Sequence, residues 1–190
     1  MRGITNARLL WTVIVILMPV PVLADGYVTP WVGYSVASKN DHGRGSFGLV
    51  AGYMGAGIFG FEADFEYTPD FFGSRRTLGN NNAISAMGNF ILGVPIGGTD
   101  GPGVRPFVSG GVGLMRTHIE RGTFLDVSRT NNAFAYNVGA GMMGFFSEHV
   151  GLRGDVRYIR TLDDVNRGSG VDLDPGRLRY WRVSGGVTFR

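Results

Sequence analysis

The chain has 190 residues with 32 glycines and no cysteine; 44% are hydrophobic, 17% are charged, and the formal charge is +3. That length suits one domain, and the lack of cysteine excludes a disulfide framework, thiolate metal sites and a cysteine nucleophile. Glycine without a G-X-Y period excludes collagen, and an aromatic content of 12% argues against disorder.

Residues 1–24, MRGITNARLLWTVIVILMPVPVLA, read as a cleaved secretory signal peptide. Arg2 and Arg8 precede an apolar run from Leu9 to Met18, Pro19 and Pro21 end it, and Val22-Leu23-Ala24 supplies a cleavage site before Asp25. The run is too short for a spanning helix, which needs about 20 apolar residues. No cysteine follows the cleavage site, so a lipoprotein is excluded. Residues 25–190 are then expected to form a single domain. Losing Arg2 and Arg8 lowers the formal charge from +3 to +1, which leaves no electrostatic case for a nucleic-acid partner.

From there the hydrophobic period is two. Pro30, Val32, Tyr34 and Val36 make one face of a first strand, and Phe47, Leu49, Ala51 and Tyr53 one face of a second. The third, IFGFEADFEY at 58–67, is the sharpest: Phe59, Phe61, Ala63, Phe65 and Tyr67 alternate with Gly60, Glu62, Asp64 and Glu66. Further strands follow at Ile84–Leu92, Pro106–Leu114, Phe134–Met142, Val150–Tyr158 and Trp181–Phe189, making eight. Their opposite faces are small or polar, and include Arg105, Asn137, Arg153, Asp155, Arg157 and Arg182.

Parity alone does not say which face is inside. A soluble barrel or sandwich would turn the apolar set inward; a membrane barrel turns it toward lipid. Two features favour the membrane. Polar, mostly long connections near 38–45, 68–82, 118–131 and 162–178 alternate with very short ones near 55–57 and 147–149. Aromatics also fall near both strand ends: Tyr67, Phe134, Tyr136, Tyr158 and Trp181 at one, Tyr53, Phe59, Phe145, Phe146 and Phe189 at the other. The link at 94–104, VPIGGTDGPGV, is too long for a tight turn.

Four stretches carry a resemblance: YVTPWVGYSV near the start, RPFVSGGVGLMRT at 105–117, NVGAGMMGFFSEHVGLRGDVRYIRTL at 137–162 and the terminal WRVSGGVTFR. In these the chain resembles the small eight-stranded outer-membrane β-barrels of the OmpX and OmpA-transmembrane-domain type. The resemblance implies an all-β fold, a closed eight-stranded antiparallel up-and-down transmembrane β-barrel, in the outer membrane of a Gram-negative bacterium. It further implies a monomer that meets outer-membrane lipids, lipopolysaccharide and the barrel-assembly machinery. The family's assembly signal ends the last strand on an aromatic; Phe189 fits, but Arg190 follows it.

Eight strands leave an interior that side chains can fill. Glu62, Asp64, Glu66 and Asp155 with Arg105, Arg153, Arg157 and Arg182 are therefore expected to form one charge network within the lumen, since buried charges must pair or stay hydrated. Arg116 and His118 are expected to meet lipopolysaccharide phosphates at the membrane surface. The expected role is non-enzymatic: structural, or surface contact through the outer loops with an unknown extracellular partner. A narrow ion channel is the alternative, and a lipid hydrolase centred on His118, with Ser128 placed in a loop, is a weaker one. A soluble periplasmic ligand-binding barrel is a further rival.

The remaining motifs have simpler readings. GAGIFG at 55–60 and GAGMMG at 139–144 match G-x-G-x-x-G, but neither opens a helix, so no nucleotide cofactor follows. His42, His118 and His149 lie too far apart for one metal site. Asp163, Asp164, Asn166, Asp172 and Asp174 lack calcium-loop spacing. No cofactor or metal is expected. Arg75-Arg76 lie in an ordinary solvated loop.

Overall fold

A computed structural model describes residues 26–36, 43–70, 81–97, 101–121, 127–162 and 178–190. The segment 1–24, His42, the Arg75-Arg76 patch and the acidic residues from Asp163 to Asp174 lie outside them. Eight strands follow in chain order: β1 Gly26–Val36, β2 Arg44–Gly55, β3 Phe59–Pro69, β4 Asn81–Gly93, β5 Gly103–Arg121, β6 Val127–Phe145, β7 Val150–Thr161 and β8 Arg179–Phe189. Each pairs antiparallel with the next, and β1 pairs with β8, for example Trp31 with Gly186 and Ser35 with Arg182. Closure leaves no strand edge exposed, which is what allows a sheet to sit in a bilayer.

The face assignment follows the alternation. Val32, Phe61, Val112, Phe134, Trp181 and Val183 are each more than half exposed, while Glu62, Asp64, Arg157 and Arg182 are buried. Apolar side chains thus clothe the outside. Aromatic pairs tie neighbouring strands there: Phe47–Tyr67, Phe61–Phe90 and Tyr158–Trp181, with ring centroids 5.1–5.4 Å apart. Phe145 breaks the expected pattern. It is buried inside the barrel at the inner end of β6 and is not part of the lipid-facing girdle.

The short connections sit at the end of the barrel where β1 starts and β8 ends. Between β2 and β3, Ala56 (φ 49°) and Gly57 (φ 68°) both adopt left-handed conformations, and Ile58 N donates to Gly55 O at 3.0 Å. That is a two-residue hairpin whose twist matches its strands. The 94–104 link is narrower than its length suggests, because the β4–β5 ladder continues into it: Val94 N donates to Pro106 O, and Ile96 pairs with Val104.

At the opposite end the 118–131 connection, expected to be a loop, is largely strand. β5 and β6 stay paired through Arg121 and Val127, so only 122–126 connect them. Both strands have 19 residues against the 11–13 of the others. A membrane crossing takes about 9–11 residues, so among the described residues this hairpin projects beyond the other strands.

Interior glycines make room for neighbouring side chains. A Cβ on Gly139 would lie 2.7 Å from Arg157 Cγ and from Val156 O, whereas one on lipid-facing Gly88 would meet nothing closer than 3.9 Å. Gly139→Val is expected to cost about 1–3 kcal/mol by overpacking. Gly88→Ala is expected to stay within about 0.5 kcal/mol of wild type. Urea unfolding in lipid vesicles, read by heat-modifiable gel mobility, separates the two.

Candidate functional site

β3 turns Glu62, Asp64 and Glu66 into the lumen at successive inward positions, about 7 Å apart along the strand. Arg153, Asp155 and Arg157 do the same from β7, and Arg182 from β8, on the far side of the barrel. The interior is narrow enough for the two sets to meet. Glu62 takes Arg153 Nη1 at 2.5 Å and Arg157 Nη2 at 3.0 Å. Asp155 takes Arg153 Nε at 2.9 Å and Arg157 Nε at 3.3 Å. Asp64 takes Arg182 Nη2 at 2.5 Å, and Glu66 takes Arg182 Nη1 at 3.1 Å. Arg157 Nη1 stands 3.2 Å from Asp64 Oδ2, close enough for an ion pair but without hydrogen-bond alignment.

Neutral donors and rings complete the set. The Tyr27 hydroxyl donates to Glu62. Tyr180, Ser35, Thr68 and Ser85 donate to Glu66, and Ser184 donates to Asp155. Arg182 lies 4.1 Å from the Trp31 ring centroid and Arg153 4.5 Å from that of Phe107. These aromatic faces cover parts of the guanidiniums that no carboxylate reaches. Seven of the eight expected lumen charges thus share one continuous cluster.

Arg105 stands at a different level of the lumen from these seven. It enters the lumen at the inner end, where its Nη1 lies 3.9 Å from Met54 Sδ and its guanidinium 5.6 Å from the Phe145 ring. Alternation puts it on the inward face and says nothing of its height. Arg190 lies over the same ring, 4.1 Å from its centroid. It donates through Nε to Glu148 O at 2.6 Å and through Nη2 to Gly101 O at 2.8 Å. The residue after the terminal aromatic therefore ties the end of β8 to the β6–β7 turn and to the 94–104 link.

Two apolar clusters bracket the charges, and the sequence reading missed both. Tyr27, Trp31, Val50, Met54, Ile91, Phe107, Met143 and Phe145 pack in the inner half. Ala83, Met87, Met115, Ala135, Ile159 and Tyr180 pack in the outer half. The signal was present, since all of these occupy inward parity.

At the outer end Arg116 is exposed, with Ile84 and Asn132 as its cross-strand partners. His118 is half-buried, between Asn82 and Thr130. Ser128 is in strand β6 and not in a loop, and the backbone register sets it opposite Glu120. Among the described residues no group of three or more His, Cys, Asp or Glu could hold a metal ion.

A family model, the outer membrane protein beta-barrel domain, matches residues 13–176. The chain belongs to that family. Its place is therefore the Gram-negative outer membrane, and a soluble periplasmic barrel is set aside. Solved structures agree on the fold. Neisserial surface protein A is 15% identical, with a TM-score of 0.64 over 86% of this chain and 96% of its own. OprG of Pseudomonas aeruginosa is 10% identical, with a TM-score of 0.54 over 87% and 95%. Ail, the attachment invasion locus protein of Yersinia pestis, is 16% identical, with a TM-score of 0.50 over 87% and 99%. No curated protein matches the chain.

Glu62 is the centre of the cluster, so Glu62→Ala leaves two buried arginines short of charge. The expected loss is about 3–5 kcal/mol. Tyr27→Phe, which removes only one hydrogen bond to a charged group, should cost about 1.5–3 kcal/mol. Equilibrium unfolding in vesicles checks the order of the two.

Proposed function

We propose that the protein is a non-enzymatic outer-membrane barrel with a closed lumen, acting structurally or by surface contact through its outer end. The observation that carries this reading is the filling of the interior. Four carboxylates face the three guanidiniums of Arg153, Arg157 and Arg182, all buried, with apolar layers on both sides. An ion path would need hydrated space through that stack, and both Met-rich clusters oppose it. Export by a cleaved signal peptide at 1–24, a barrel domain over 25–190, insertion by the barrel-assembly machinery and a monomeric state complete the proposal.

Surface contact is supported by the β5–β6 hairpin, which among the described residues extends past the outer ends of the other strands. Two of the similar barrels are named for surface position and for attachment and invasion. In this reading Arg116 and His118, at the base of this hairpin, meet lipopolysaccharide phosphates.

Lipid-ester hydrolysis is the second reading, because the β5–β6 register sets Ser128 opposite Glu120, two positions from the His118–Thr130 pair. A serine, a histidine and an acid on neighbouring strands are the residue types that acyl transfer requires. Release of fatty acid from outer-membrane lipid by the wild type, lost in both Ser128→Ala and His118→Ala, would replace the non-enzymatic reading.

Planar-bilayer recording tests the closed lumen. The refolded wild type is expected to show no steady conductance. A stable ohmic current that is altered by E62Q or R157Q would establish the channel alternative.

A further inference from the structure

The alternation that points Arg153, Arg157 and Arg182 inward leaves two other arginines of the same strands outside. On β7, Arg160 lies between buried Ile159 and Thr161; on β8, exposed Arg179 precedes buried Tyr180. The register makes Arg160 and Arg179 direct cross-strand partners. Their Cβ atoms are therefore about 4.5–5.5 Å apart, and like charges so placed repel one another. Among the described residues neither arginine makes an ion pair or hydrogen bond that would relieve this.

Their height is as informative as their pairing. One pleat further inward on the same two strands, Tyr158 faces Trp181 with ring centroids 5.1 Å apart. Such rings settle at the level of lipid headgroups. From Phe189 at the inner end to Arg179 the strand climbs about 33 Å, or about 25 Å along the membrane normal at a tilt of about 40°, the height of the apolar band. Toward β6, Arg160 has Tyr136 as its partner, and Leu162 bonds back to Phe134 O. The immediate surroundings are aromatic and apolar.

We propose that Arg160 and Arg179 form a binding site for a phosphate carried by an outer-leaflet lipid, whose acyl chains lie along the barrel beneath it. A phosphate between the two guanidiniums turns their repulsion into a pair of charge-assisted, bidentate contacts. The Tyr158–Trp181 pair and the apolar wall below match the lipid's other half. An inorganic phosphate would use only the arginines, and a soluble partner would not require the site at this depth. The site lies on β7–β8, apart from Arg116 on β5, and does not rest on the role proposed for that residue.

Native mass spectrometry of the refolded protein in detergent tests this with lipid A, fully dephosphorylated lipid A and inorganic phosphate as probes. The wild type is expected to hold lipid A about tenfold more tightly than the dephosphorylated form, with R160Q/R179Q losing about that factor and one bound lipid. Inorganic phosphate at equal concentration should not displace it. Heat-modifiable mobility confirms that the variants fold; should the double variant not fold, R160Q and R179Q singly should each weaken binding about threefold. Equal affinity for both lipid forms, unchanged binding by the arginine variants, loss confined to R116Q, or displacement by inorganic phosphate alone would each overturn the proposal.

Discussion

Everything inside this barrel depends on one constraint: charges removed from water must find opposite charges within a lumen only a few side chains wide. β3 brings three carboxylates and no cation, and β7 brings two arginines around one aspartate. Neither strand could face the interior alone, because each would carry an uncompensated charge into a medium that penalises it by several kcal/mol per ion. Opposed across the lumen, they neutralise one another. Arg157, nearly fully buried, touches Glu62, Asp64 and Asp155 at once. The cross-lumen contacts join β3 to β7 and β8 where no backbone ladder does, and so brace the barrel across its diameter.

Much of this was legible in the residues. The run from Phe59 to Tyr67 defines both faces of β3 without help from any other strand, and Arg153-Gly154-Asp155-Val156-Arg157 repeats the pattern with compensating charge. Their meeting follows from the width of an eight-stranded interior. What parity does not carry is height. Arg105 shares inward parity with the network but begins its strand, and the shear of a closed barrel leaves it beside the β2–β3 turn, near Met54 and Phe145. The apolar layers were obscured for a different reason. A polar lumen is the rule for wide, water-filled barrels, whereas a narrow one must be packed like a core. Val50, Met54, Met87, Ile91, Met115 and Met143 obey the second rule. The 118–131 segment misled through its polar composition: backbone pairing needs no apolar residues once a hairpin leaves the bilayer.

The charge of the molecule is accordingly sorted by place. Inside, acids and arginines balance within buried layers. At the outer rim, Arg116, Arg160 and Arg179 stand on the outer surface, where the outer leaflet presents its phosphates. At the inner end Arg190 acts through its hydrogen bonds, closing the β6–β7 turn and the 94–104 link around Phe145. Arginines of one chain thus hold the lumen together, tie down its base and stand on its outer surface.

The most direct test of this account is a double-mutant cycle between Glu62 and Arg153, using E62Q, R153Q and the double variant, with unfolding free energies measured in bilayers. A lumen held by direct ionic contact predicts a coupling of about 1–3 kcal/mol between the two positions. Additivity to within about 0.5 kcal/mol would mean that the two side chains do not depend on each other, and would contradict the claim that cross-lumen ion pairs organise the barrel.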